Sequence, residues 1–202
     1  MYGHVGDEIT TVKGEELVPI FYKADRYICK NTGTFWLSET PLAKGSKGWD
    51  SANPRRATWI ILEEKASGLC FHIINTHLDH QGQRARIESV GLIKEISKEW
   101  TDDNPIILCG DMNFTSISQP YYNTLNQSYM MFDAYHISER REGVNYTFHR
   151  FGKNQIENRH IVDYIFVTNK VLVKSIIIPE EKKANGVYMS DHNPVIATFE
   201  LY

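Results

Sequence analysis

Apolar and polar residues fall in short blocks along this chain, and most blocks have the length of a strand rather than a helix. Val18 to Lys23 and Tyr27 to Lys30 are short β-type runs joined by Ala24-Asp25-Arg26, the pattern of a hairpin. Ala57 to Glu63 and Leu69 to Thr76 are stronger strands around Ala66-Ser67-Gly68. Phe71, Ile73 and Ile74 put apolar groups on both faces of the second, as a doubly buried strand requires. Pro105 to Cys109 is a short buried strand ending at Gly110, and strands recur at Ile161 to Thr168, Val171 to Pro179 and Pro194 to Leu201.

A helical period stands out between Gln83 and Trp100, where Ile87, Val90, Ile93, Ile96 and Trp100 recur at three- and four-residue spacing. Ser118 to Gln127 predicts a second helix, with Ser118 as cap and Pro120 in its first turn. Residues 1–16 and the segment Glu139 to Gly143 are polar without a period. Ser38 to Arg56, with Pro41, Gly45, Gly48 and Pro54, reads as a loop whose length implies a function. No repeat or linker divides the chain. The order of elements predicts one α/β (α+β) domain over 1–202, with packed mixed sheets and outer helices.

Composition narrows the class. The 202 residues are 42% hydrophobic and 23% charged, ordinary for a globular domain with one core. A net charge of −3 argues against a dedicated duplex-DNA binder. Cys29, Cys70 and Cys109 are odd in number and scattered, so no disulfide framework follows. No segment has the length of a membrane span, and Met1-Tyr2-Gly3-His4 does not open a signal peptide, which points to the cytoplasm by default.

Chemistry gathers where apolar runs stop. The four clusters are Asn75-Thr76-His77-Leu78-Asp79-His80, Gly110-Asp111-Met112-Asn113, Val162-Asp163-Tyr164 and Ser190-Asp191-His192-Asn193-Pro194. A carboxylate inside an apolar strand is costly unless paired, so Asp163 calls for a partner such as a histidine. Asp111 and Asn113, two apart on extended backbone, would face one target, and Gly110 would leave room for a ligand. Singly, Asp111 is as well explained by a turn and Asp163 by a structural ion pair. Four clusters at four strand boundaries are not four unrelated caps.

The four motifs, in this order and spacing, resemble the endonuclease/exonuclease/phosphatase superfamily, with its deoxyribonuclease I-like fold, from about Gly14 onward. The resemblance implies two mixed β-sheets packed face to face and flanked by helices in a four-layer sandwich, and hydrolysis of phosphodiester or phosphomonoester bonds with Mg²⁺ or Mn²⁺. It implies that Asp111 activates water, that Asn113 holds water or phosphate, and that Asp163 orients His192 toward the scissile phosphate. Asp191, with Asp111 and Asn113, would hold metal. His77 would touch phosphate or protonate the leaving group with Glu16 as its partner, and Arg55 would lie near the phosphate. Glu15 and Arg56 stand beside the last two and compete for those assignments.

Family members normally open with a strand, a helix and a second strand ending in a metal-binding glutamate, and residues 1–16 are too short for that unit. The expectation is therefore the C-terminal three quarters of the usual domain, N-terminally incomplete. Two rivals remain. One is a catalytically impaired binding protein on the same fold. The other is a metallo-β-lactamase-like zinc hydrolase built on His77-Leu78-Asp79-His80, although Asn75 stands where that motif needs histidine. The charge favours a small phosphorylated substrate over nucleic acid, with the Ser38 to Arg56 loop setting selectivity. Trp36, Trp49 and Trp59 are expected in packing, and Arg84, Arg86 and Glu88 in surface salt bridges.

Overall fold

The computed structural model describes residues 1–6, 13–100, 104–125, 131–180, 182 and 185–202. In chain order it contains β1 (Tyr2–Val5), β2 (Ile20–Lys23), β3 (Tyr27–Trp36), β4 (Arg56–Glu64), β5 (Cys70–His77), α1 (Gln83–Lys98), β6 (Ile106–Asp111) and α2 (Gln119–Leu125). There follow β7 (Phe132–Asp133), α3 (Ala134–Ile137), β8 (Arg140–Gly143), β9 (Asp163–Val167), β10 (Val171–Ile178) and β11 (Ile196–Leu201). Among the described residues, six strands form one sheet in the order β3-β4-β5-β6-β9-β7, and β1-β2 and β11-β10-β8 form two smaller sheets. Among the described residues, no helix is long and apolar enough to cross a membrane.

Side-chain alternation divides the core in two. Ile74, Ile106, Leu108 and Phe166 face a layer that includes Val90 and Ile93 of α1 and Tyr121 of α2. Ile60, Leu62, Phe71, Ile107 and Val167 face the opposite way, onto Ile20 of β2 and Val171, Val173, Ile176 and Ile178 of β10. The strands β5 and β6 thus bury both faces, as their unbroken apolar runs require. At roughly 1.5–3 kcal/mol for each buried aliphatic side chain, these two layers fix the central sheet between helices and second sheet.

Three expectations change. The chain does turn at Ala24-Asp25-Arg26, where Arg26 N–H donates to Lys23 O at 3.1 Å, but β2 and β3 do not form a hairpin. Instead β2 pairs with β1 and β3 with β4. Ile20 is drawn into the second core layer, while Arg26 and Lys30 find Glu64 and Glu63 on β4 at 2.8 and 2.9 Å. Residues 2–5, read as patternless, are a strand, and the polar Arg140–Gly143 segment is strand β8, parallel to β10. Its four exposed residues gave no alternation to detect. The second helix ends within the described residues at Leu125, and positions 126–127 of the expected span lie outside them.

Strand register builds the site. Parallel pairing sets His77 of β5 opposite Asp111 of β6, and antiparallel pairing sets Asp111 opposite Asp163 of β9. Three polar residues from three strands therefore stand in one row across the end of the sheet.

Candidate active site

Asp111 is the centre of the row. Its Oδ2 lies 3.3 Å from His77 Nε2 and 3.9 Å from His192 Nε2, between two imidazoles. Burial, and then the charge of Asp163, push the Asp111 pKa above the ordinary carboxylate value. Oδ1 accepts the backbone N–H of Asn113 at 2.9 Å, which fixes the plane of the carboxylate.

Each imidazole is backed by its own acid. His192 Nδ1 meets Asp163 Oδ2 at 2.7 Å. Burial works against the charged ring, but this hydrogen bond and the charges of Asp163, Asp111 and Asp191 outweigh it, and the His192 pKa ends above its usual value. Backing Nδ1 with a carboxylate leaves Nε2 as the working nitrogen. His77 Nδ1 meets Glu16 Oε2 at 2.5 Å, so its Nε2 likewise turns to Asp111. Burial lowers the His77 pKa, the Arg55 charge adding to it and the Asp111 and Glu16 carboxylates opposing. One imidazole biased toward the cation and one toward the neutral form flank a single carboxylate.

The competing neighbours separate cleanly. Glu16, half exposed, carries His77 and Arg55, the latter at 2.7 Å. Glu15 is buried with Arg56 at 3.2 Å and accepts the Trp36 indole N–H at 3.0 Å. The Arg55 side chain is only 4% exposed. Its guanidinium reaches Glu16, His80 Nδ1 at 3.2 Å and Asp79 Oδ2 at 3.5 Å, so it holds protein groups rather than standing open at the row.

Asn113 sits on left-handed backbone, φ 48°, and not on the extended chain expected of it. The Asp111–Asn113 hydrogen bond is what makes the chain turn there, and the Asn113 amide donates to Leu78 O at 2.9 Å. Gly110 is expected to leave room for a ligand, and the space its missing side chain leaves is taken by protein. A Cβ at that position would stand 1.8 Å from Thr76 O, so the absent side chain admits the neighbouring strand β5. Asp191 is half-buried, its carbonyl taking the backbone N–H groups of His149 and Arg150 at 3.0 and 3.1 Å. A hollow of about 460 Å³ beside the row is lined by Asn75, Gly110, Asp163, His192, Asn193 and Val195.

Sequence reasoning missed the segment that clamps the His192 arm. Thr147 Oγ1 accepts the backbone N–H of Val162 and Asp163 at 3.0 and 3.1 Å, and Thr147 O accepts that of Asn193 at 2.7 Å. The Phe148 ring lies 4.9 Å from the His192 ring. Tyr146-Thr147-Phe148 carries no charge and no motif, so only its pairing in space marks it. Trp36 is buried and Trp59 packs on Trp100, as expected of them. Arg84 pairs with Glu88 at 3.5 Å, whereas Arg86 departs from that surface role and donates to Asp79 O at 2.7 Å. His80 meets Arg55 and Gln81, and among the described residues the metal-suited group is Asp111, Asp163 and His192.

The sequence model of the Endonuclease/Exonuclease/phosphatase family matches residues 25–192. Among solved structures, an endonuclease/exonuclease/phosphatase from Bacteroides vulgatus is 38% identical and superposes with a TM-score of 0.91, covering 100% of this chain and 77% of its own. A mannosyl-6-phosphatase from Bacteroides thetaiotaomicron is 31% identical with a TM-score of 0.86, covering 99% of this chain and 77% of its own. The human Nocturnin catalytic domain, solved with bound sulfate, shares the fold with a TM-score of 0.72 at 21% identity, over 100% of this chain and 72% of its own. Comparison with curated proteins gives no match.

Proposed function

The chain belongs to the endonuclease/exonuclease/phosphatase family, whose members here are hydrolases of phosphate esters, and on that premise we propose that it cleaves a small phosphate ester by in-line attack of water with a divalent cation. The observation that carries this proposal is the row itself: three strands and one loop deliver His77, Asp111, Asp163 and His192 to one carboxylate-centred cluster. Phosphoryl transfer needs positioning and charge stabilisation more than covalent chemistry, and this set supplies both. Asp111, its pKa raised, is suited to take a proton from water. His192, held in the protonated direction by Asp163, donates Nε2–H to charge growing on the phosphoryl oxygens. His77, braced by Glu16, faces phosphate or leaving group from the other side.

The donors suit a hard cation. Ligand atoms of Asp111, Asp163 and His192 lie within 4.8 Å of one another, and the two carboxylates would hold the cation, while His192 in its donating form has no lone pair to offer it. Asp111 and Asp163 face each other across paired strands, and a cation held by them would offset the burial and the Asp163 charge that raise the Asp111 pKa. Asp191 and Asn113 adjoin them in the chain and would join that set. Mg²⁺ or Mn²⁺ held there would supply charge neutralisation at the phosphoryl group.

A sugar phosphate is the substrate class favoured, from the acidic balance of the chain and the mannosyl-6-phosphatase at 31% identity. Turnover of sugar phosphates and of bis-p-nitrophenyl phosphate with Mg²⁺ or Mn²⁺ tests the proposal. His192→Ala and Asp111→Asn should each lower kcat by on the order of 10³-fold. EDTA should abolish activity and added Mn²⁺ restore it. Turnover indifferent to both substitutions overturns the residue roles, and turnover indifferent to EDTA removes the metal.

A further inference from the structure

Asp79 lies outside the row, two residues past His77, yet its carboxylate is 1% exposed and ringed by donors. Its two oxygens do different work. Oδ1 accepts the backbone N–H groups of Gln81 and Gly82 at 3.0 and 2.7 Å, closing the turn that follows β5. Oδ2 accepts the backbone N–H of Asn53 at 3.2 Å and stands 3.5 Å from Arg55 Nε. A turn residue explains the first oxygen, while the second ties down the Asn53 backbone and also faces the Arg55 guanidinium. Nor is Asp79 needed to cap α1. Asp50 does that, its carboxylate taking the N–H groups of Arg84 and Ala85 at 3.2 and 2.7 Å.

From Oδ2 an unbroken chain of charged contacts runs to the row. Asp79 Oδ2 faces Arg55 Nε at ion-pair distance, 3.5 Å, without a hydrogen bond, Arg55 holds Glu16 by Nη1 at 2.7 Å, Glu16 holds His77 Nδ1 at 2.5 Å, and His77 Nε2 faces Asp111 at 3.3 Å. Glu16 is half exposed and lies outside any helix or strand, so it has little packing of its own to hold it. Arg55, almost fully buried, is the rigid member. A buried guanidinium is stable only where carboxylates surround it, and Asp79 is the buried one of its two acids.

We infer that Asp79 is a positioning residue for the acid–base arm of the site, fixing Arg55 and through it the carboxylate of Glu16 against His77. The inference rests on the phosphoesterase proposal for its consequence in turnover, but not for its geometry. Asp79→Asn is the informative change. The amide keeps an acceptor oxygen for the Gln81-Gly82 turn and removes the charge that Arg55 faces. Released from one side, the guanidinium swings, and Glu16 loses its brace.

The test reads His77 directly. Imidazole ¹⁵N resonances of His77 are recorded in the wild type, Asp79→Asn, Glu16→Gln and the double variant, each checked for folding by thermal unfolding. Asp79→Asn should move the His77 Nδ1 signal in the same direction as Glu16→Gln, with no further movement in the double variant, the mark of two residues acting along one path. A His77 signal at its wild-type position in folded Asp79→Asn overturns the inference. Should Asp79→Asn not fold, Arg55→Lys serves instead. A lysine keeps the charge but cannot span Asp79, Glu16 and His80, so the signal should shift, and an unshifted signal overturns the inference equally. In turnover, Asp79→Asn should lower kcat about tenfold with KM within about twofold, and the loss should largely vanish in the Glu16→Gln background. A loss that simply adds to that of Glu16→Gln points to a merely structural role. A wild type without turnover on any phosphate ester sinks the phosphoesterase proposal, while the His77 resonances still decide the role of Asp79.

Discussion

A Cβ on Gly110 would stand 1.8 Å from the carbonyl oxygen of Thr76, on backbone whose φ of 134° is itself strained for any other residue. The obstacle is the main chain of β5, which cannot swing aside as a side chain can. Gly110→Ala should therefore cost more than about 3 kcal/mol, or prevent folding outright, since it forces apart the two strands that carry His77 and Asp111. A purified Gly110→Ala protein with the wild-type thermal midpoint would refute this. At this scale the sequence showed which residues mattered and not always why. Gly110 was visible as a special glycine, but the group it makes room for is 34 positions away in the chain. The pairs Glu15-Glu16 and Arg55-Arg56 could not be told apart from their letters. Consecutive residues point apart, and only the burial of Glu15 and Arg56 against Trp36 leaves Glu16 and Arg55 for the site.

Elements were legible in proportion to their burial. β4, β5, β6, β9, β10 and α1 carry apolar patterns that tertiary packing enforces, and each was found within a few residues of its expected span. β8 and β1 carry no such pattern because little of them is buried, and their pairing comes from neighbours remote in sequence. α1 hides a further dependence. Lys94 falls on its buried face, and its ammonium reaches across to Asn123 O and Thr124 O at 3.0 and 3.3 Å, near the end of α2. Carbonyls in the last turn of a helix have no partner within the helix, so the lysine takes the place of water there. Lys94→Met keeps the length and apolar stem but leaves the carbonyls without this donor. It should destabilise by about 1–3 kcal/mol, seen as a lower urea midpoint with an unchanged slope. An unchanged midpoint would mean that water reaches those carbonyls freely.

Over the whole molecule, charge decides which phosphate esters can approach. The net charge is −3, and the site concentrates acid further, with Glu16, Asp79, Asp111, Asp163 and Asp191 set against Arg55 and two histidines. Cations elsewhere are largely paired on the surface, Arg26 with Glu64, Lys30 with Glu63 and Lys174 with Glu139 and Glu200. A polyanion gains affinity from each Lys or Arg that meets a phosphate and releases its counterions, and its binding then falls steeply with salt. Beside this site Arg150, whose backbone N–H donates to Asp191 O, and Lys153 are exposed, two cations rather than a basic track. A small ester brings one phosphate, which a single cation held by Asp111 and Asp163, as proposed, would neutralise, so its capture would need no basic track. Accordingly, kcat/KM for a sugar phosphate should exceed that for a single-stranded oligonucleotide, and should change less than about threefold between 50 and 200 mM NaCl. An oligonucleotide cleaved faster than the sugar phosphate, with a logarithmic salt slope of several units, would mean that the chain reads a nucleic-acid backbone. The cations responsible would then have to be sought in the Ser38 to Arg56 loop, where Lys44 and Lys47 are exposed beside the segment that delivers Arg55.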